Sequence, residues 1–261
     1  MKIREPITHS RYIGLSILPF IIVLVLWGAL TYSGFIQPFF LPSPSAVLRS
    51  LLEAMKSGGI FRDIWDSTYR VLMGFLLAAV LSIPLGLLIG CYKPFEAFAE
   101  PINNLVRYLP VVSFIPLCIL WIGIDDNEKV AVIFLGTFFQ LLVLVADAAR
   151  AVSQDLLNTS YTLGARQHQV ILKVVLPASL PQIYDALRVS MGWAWSYLVV
   201  AEIVAANSGV GHFIIQSQRF LETSNVIAGI LIIGVLGLAF DLFFAYTSMW
   251  FFPWNVKRAR S

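Results

Sequence analysis

Charge is scarce in this sequence: Asp, Glu, Lys and Arg supply 13% of its 261 residues, about half the share usual in a soluble globular domain. A water-exposed fold of this length needs charged surface that is not there, so the bilayer is the solvent the chain suits. Cysteine is nearly absent as well. Cys91 and Cys118 both lie in apolar runs, with no CxxC spacing and no nearby His, so neither a disulfide framework nor a zinc site has support. His9, His168 and His212 likewise have no metal-ligand companion. No GxxxxGK phosphate loop occurs, so the chain has no means of binding ATP by that route. A net charge of +3, without a basic stripe or interleaved aromatics, argues against nucleic acid. No cofactor is expected, and no internal repeat is evident, which disfavours an inverted-repeat secondary transporter or a channel as the alternative.

What is present is apolar sequence, 58% of the residues. Six segments, roughly 12–32, 69–91, 105–124, 130–149, 182–204 and 226–251, are each long enough to cross a hydrocarbon core of about 30 Å. All are expected to be helical, because an open sheet edge in lipid leaves backbone groups unpaired. Lys2, Arg4 and Arg11 precede the first segment as in a signal peptide. That segment, Tyr12 to Tyr32, is too long and has no small-residue cleavage site, so it reads as an uncleaved span. Short cytoplasmic loops carry the excess of basic residues. One side owns Lys2, Arg4, Arg11, Lys93, Arg150, Arg166, Lys173, Arg188, Lys257, Arg258 and Arg260. The other owns Arg49, Lys56, Arg62, Arg70, Lys129 and Arg219. Both termini are therefore expected to be cytoplasmic, in a single transmembrane domain over 1–261 whose longest inner loop is about 150–181.

Local signals refine this outline. Pro42-Ser43-Pro44-Ser45 predicts a turn and a helix cap ahead of an amphipathic stretch, Ala46 to Met55, in the first outer loop. Trp65, Trp121, Trp250 and Trp254 fall near span ends, as an aromatic belt requires. Ser82, Gly86 and Gly90, four apart, form a small-residue stripe along which another helix can approach. Helix packing is the chief reading of that stripe; with a single set of six spans present, a second copy of the chain is also expected, completing a two-fold pore to which the stripe could contribute. Pro110 and Pro116 each delete a backbone donor in the third span. They read either as broken backbone lining a path or as two packing kinks. Ser113, between them, offers its hydroxyl to a passing anion or back to its own helix. Arg107 either attracts an anion or snorkels to lipid phosphate. Glu202 and Asp241, inside spans where a charge costs roughly 2.5–3.5 kcal/mol, are expected to face protein or water. Both are read chiefly as pairing residues, with Glu202 also a candidate for the path.

The inner loop holds the most informative stretch, Asn158-Thr-Ser-Tyr-Thr-Leu-Gly164-Ala165-Arg166-Gln167-His168-Gln-Val-Ile-Leu-Lys-Val174-Val-Leu176-Pro177. Asp155 to Leu163 reads as a short helix ended by a left-handed Gly164. Arg166 to Val175 reads as a second helix stopped before Pro177. The pair forms a rigid elbow that moves as a body.

This stretch resembles the cytoplasmic motif of binding-protein-dependent ABC importer permeases: Glu-Ala-Ala, three residues, Gly, nine residues, Ile-x-Leu-Pro. Gly164 and Val174-x-Leu176-Pro177 match its distal half. Asn158, Thr159 and Ser160 replace Glu-Ala-Ala. Leu41-Pro-Ser-Pro44, Arg107-Tyr-Leu-Pro110-Val-Val-Ser113-Phe-Ile-Pro116, Leu120-Trp-Ile-Gly123, and Ala201-Glu202-Ile with Gly209-Val-Gly211 look like the nitrate, sulfonate, taurine and bicarbonate branch, although Arg107-Tyr-Leu-Pro110 stands where that branch has Arg-Pro-Ile-Pro. The resemblance implies an all-α, six-helix type I importer permease in a bacterial inner membrane. It implies an elbow docked on one of two separate ATPase subunits, which hydrolyse the ATP, and an extracytoplasmic binding protein that delivers a small anionic solute. The residues it assigns to coupling are Asn158, Gly164 to His168, Val174, Leu176 and Pro177. An intramembrane serine protease is the reading from another class, and its only close nucleophile–base pair is Ser208 with His212.

Overall fold

The computed structural model describes residues 8–254; the basic residues Lys2, Arg4, Lys257, Arg258 and Arg260 and the side chain of His9 lie outside the described residues. Every regular element among them is helical. The elements are α1 (His9–Tyr32), α2 (Pro44–Ser57), α3 (Gly59–Cys91), α4 (Lys93–Arg107), a 3₁₀ turn (Val111–Phe114), α5 (Ile115–Ile122), α6 (Asp126–Arg150), α7 (Gln154–Thr162), α8 (Gln167–Val170), a π turn (Ile171–Val175), α9 (Leu176–Ala205), α10 (Val210–Arg219) and α11 (Thr223–Phe251). Five stretches are long and apolar enough to span a bilayer: Gly14–Tyr32, α3, α6, Gln167–Val204 and α11. A sixth span exists if Lys93–Arg107 and Val111–Ile122 count as one element bent by 91°.

The chain divides into two compact units, one running up to Ile60 with Phe213–Ile230, the other Phe61–His212 with the chain from Leu231 onward. In the first unit, Ser43 caps α2 by accepting from the Ala46 N–H, and Gly58 ends that helix in the left-handed conformation. The indole N–H of Trp27 donates to the Pro42 carbonyl at 2.9 Å, and Ser50 bonds Asn225. Helix α1 leaves most of its apolar side chains exposed, which only a non-aqueous neighbour makes affordable.

In the second unit the core lies along α6 and α9. Leu141 and Val145 of α6 meet Ile183 and Ala186 of α9 and Leu87 of α3. One cluster along, Ile133 packs with Leu198, Trp195, Val71 and Phe244. The small-residue stripe is used inside this unit. A Cβ on Gly86 would stand 2.7 Å from Val145, and one on Gly90 2.6 Å from the Ala146 carbonyl, while Ser82 donates to the Phe138 carbonyl at 3.1 Å. The stripe packs against α6 of the same chain, as its chief reading expected, and so lends no support to a second copy; periodicity marks a close approach without saying which helix fills it.

Two other expectations change, and in the third span one of the two readings holds: the backbone is broken at Tyr108–Pro110 rather than kinked, the segments on either side meet at 91°, and the two prolines begin helices rather than bend one. Pro110 precedes the 3₁₀ turn and Pro116 sits in the first turn of α5, where a missing N–H is an orphan donor anyway. The second span begins ten residues early, at Gly59. The second elbow helix does not stop before Pro177. It runs on through a π turn, in which the Leu176 N–H reaches the Ile171 carbonyl, into α9; the wider turn changes the hydrogen-bond register ahead of a residue that cannot donate.

Candidate functional site: coupling elbow, broken-helix cavity and ion cluster

The elbow is built by α7, Gly164 and α8. Ser153 accepts from the Asp155 N–H to start α7. At the other end the Ala165 N–H reaches the Ser160 carbonyl and the Gly164 N–H the Tyr161 carbonyl, each at 3.0 Å, with Gly164 at φ +81°. That double bond pattern is a Schellman cap, whose left-handed residue has a strong reason to be glycine. A Cβ there would meet nothing within 4 Å, so backbone geometry and not crowding selects the residue. The inner side of the elbow is anchored: Val170 and Val175 are buried, with Ala165, Val174 and Leu176 packed beside them against α3 and α6. The outer side is exposed and sets two apolar side chains, Leu163 at 82% and Tyr161 at 50%, among polar ones. Asn158 accepts from the Gln154 amide at 3.3 Å on the exposed face. Gln167 and His168 are exposed, and the Arg166 N–H is capped by Gln169 Oε1 at 2.9 Å. The elbow residues thus come together as one protrusion.

The path candidates do not all come together. Arg107 and Pro110 line a partly open cavity of about 550 Å³ at the break between α4 and the 3₁₀ turn, lined also by α6 and by Tyr197 of α9. Ser113 and Pro116 are not among its lining residues. The Arg107 guanidinium lies over the Tyr108 ring, 4.9 Å from its centroid, and Nη2 donates to the Tyr108 hydroxyl at 3.1 Å. Its Nε is buried and has no partner.

Glu202 is elsewhere, fully buried in an ion cluster. Its Oε1 accepts from Arg70 Nη1 at 2.6 Å and from Ser67 at 2.8 Å, and its Oε2 accepts from the Gly211 N–H at 2.8 Å. Arg70, 3% exposed, also pairs with Asp126 at 2.6 Å and donates to the Ser208 carbonyl and hydroxyl. Gly209, at φ +111°, passes so close that a Cβ would stand 2.3 Å from Glu202 Oε1. The glycines of Gly209-Val-Gly211 therefore let the loop close on a buried carboxylate. Nearby, Lys129 Nζ pairs with the buried Glu128 at 3.1 Å. Asp241 receives a two-point clamp from Arg188, both contacts 2.6 Å. Arg70, Lys129 and Arg188, counted above as loop cations, are thus held in ion pairs on helices. Glu202 and Asp241, carboxylates inside apolar segments, were the signal that could have led to two of them, Arg70 and Arg188. Among the described residues no group of His, Cys, Asp and Glu has the arrangement of a metal site, and the Ser208 hydroxyl accepts from Arg70 Nη2 at 3.0 Å.

Residues 82–250 match the family model described as "Binding-protein-dependent transport system inner membrane component". The chain belongs to this family. The permease is 36% identical over 222 residues, 85% of its length and 80% of the relative's, to SsuC of Bacillus subtilis (strain 168), a protein named for aliphatic sulfonate transport. It is 31% identical to the taurine transport system permease protein TauC of Escherichia coli (strain K12), covering 98% of this chain and 94% of that one. In fold it is similar to a chain of the inward-facing MetNI methionine ABC transporter, with a TM-score of 0.68 at 18% identity over 74% of this permease and 96% of that chain. The permease is an inner-membrane component of an ATP-driven importer, in a family that leaves ATP hydrolysis to a separate ATPase subunit and works with a substrate-binding protein.

Proposed function

We propose that two identical copies of this permease form the path for a small anion of the sulfonate, taurine, nitrate or bicarbonate type, with both termini and the 150–181 elbow on the cytoplasmic side. The elbow docks on the ATPase, one subunit per permease copy, and passes its movement to the spans. The observation that carries this reading is the elbow itself. A Schellman-capped turn at Gly164 presents Tyr161 and Leu163 to solvent while Val170, Val175 and Leu176 tie the same unit to α3 and α6. A push on the exposed side reaches the spans through packed side chains, because a close-packed contact shifts as a body. The relatives named for sulfonate, taurine and bicarbonate transport support the solute class. The exposed apolar faces of α1 and α11 support lipid contact.

The test is the mass of the assembled complex. Co-expressed with its ATPase and released into detergent, the chain is expected to elute with two permease and two ATPase copies, and with ATPase activity that the isolated chain lacks. A single permease copy with no second membrane subunit, or hydrolysis by the isolated chain, overturns the reading.

A further inference from the structure

The cavity at the break of the third span has a chemistry of its own. Among its lining residues Arg107 is the one charged group, and no carboxylate accompanies it. The remaining polar side chains there are Tyr108, Gln140 and Tyr197; the rest of the wall is aliphatic or aromatic, including Leu109, Phe114, Leu135 and Phe139. A guanidinium half-withdrawn from solvent with a buried, unpartnered Nε is an incomplete arrangement, since a buried donor left unpaired is destabilising, the more so on a charged group. Resting on the permease reading above, we propose that this cavity is a binding site within the chain for an organic monoanion. Its oxyanion head lies on the Arg107 guanidinium and its short carbon tail against the apolar wall.

Two features select that class. A guanidinium presents donors in a planar fork that fits a sulfonate or carboxylate edge. Its single positive charge neutralises one negative charge and no more, so a dianion such as sulfate carries an uncompensated charge into a largely apolar cavity. The apolar wall adds affinity for every methylene it covers and none for nitrate or bicarbonate. Gly136 shapes the site, because a Cβ there would stand 2.5 Å from the Tyr197 ring, so a larger residue displaces the aromatic wall. A phosphatidylglycerol headgroup offers the same chemistry, a monoanionic oxyanion on carbon, and the experiment separates the two sources.

The experiment measures binding of ³⁵S-labelled butanesulfonate to the nucleotide-free permease–ATPase complex in nanodiscs, of phosphatidylcholine alone in one arm and with phosphatidylglycerol in the other. Co-elution of each variant with the ATPase serves as the fold control. The expected result is saturable binding in both arms, at least ten-fold weaker in Arg107→Met and in the cavity-filling Leu135→Trp, partly retained in Arg107→Lys, and competed by hexanesulfonate far better than by sulfate or nitrate. Binding unchanged within two-fold in Arg107→Met, or equal competition by sulfate, overturns the proposal. So does binding abolished by phosphatidylglycerol, which assigns the site to lipid. A complex that assembles as two plus two and yet gives any of these results loses the cavity assignment and keeps the permease reading.

Discussion

Replacing Arg70 by Met removes the cation from a buried cluster and leaves its anion in place. Glu202 is 0% exposed and Arg70 3%, so the carboxylate loses its charge partner without gaining water. Ser67 and the Gly211 N–H still donate to it, and neither carries charge. Breaking a buried pair from one side costs about 3–5 kcal/mol. Asp126, the second partner, is half exposed and is released to solvent at little cost. Glu202→Gln is milder, at roughly 1–3 kcal/mol, because it removes the buried charge while Arg70 keeps Asp126 and Ser208. The ordering is therefore Arg70→Met worst and Glu202→Gln intermediate, with the double variant at least about 1 kcal/mol more stable than Arg70→Met alone, since the two residues share one interaction. Heating the detergent-solubilised complex and following the surviving tagged permease by fluorescence-detected size exclusion reads the effect. With about 2–4 °C per kcal/mol for a chain of this size, the Arg70→Met midpoint falls by roughly 6–20 °C. A midpoint within 2 °C of the unmutated chain, or a double variant no better than Arg70→Met, refutes the argument that the cluster is buried and mutually dependent.

Gly164→Val is expected to insert normally and to lose ATPase association or substrate-stimulated hydrolysis: no atom crowds the position, so the change acts through the left-handed φ, at about 1 kcal/mol or more. Wild-type assembly, hydrolysis and uptake in that variant would remove the elbow as the coupling element. Gly86→Leu forces α3 off Val145 and is expected to lower stability by about 1–3 kcal/mol, read as a lower melting midpoint; an unchanged midpoint contradicts the α3–α6 seating. Asn158→Glu is expected to leave uptake unchanged, because the side chain stands on the exposed face with only the Gln154 amide beside it; loss of uptake refutes that.

Much of the elbow was legible in the sequence, because its determinants are local. A glycine after a short polar helix and an apolar pair at a fixed interval report turns that depend only on neighbouring residues. Pro177 misled on the helix end for the same reason: proline removes a donor locally, yet a π turn upstream absorbs the loss, and that turn depends on packing of Val170 and Val175 against α3 and α6. The break at Tyr108–Pro110 was half legible. Two prolines announced missing donors, but the 91° bend arises from how α4 and α5 meet α6.

By itself, then, the order of residues determined the solvent, the all-helical class, the capped elbow and the family, because hydropathy, helix caps and motif spacing are properties of contiguous chain. Which helix fills the Ser82–Gly86–Gly90 stripe, that Arg70 and Glu202, 132 positions apart, share one buried site, and that Arg107 opens on a cavity while Glu202 does not, were decided only by tertiary structure. The reason is physical. A small residue permits contact with any helix and a buried charge accepts any opposite charge, so these pairings are chosen by three-dimensional packing and leave no spacing in the sequence to read.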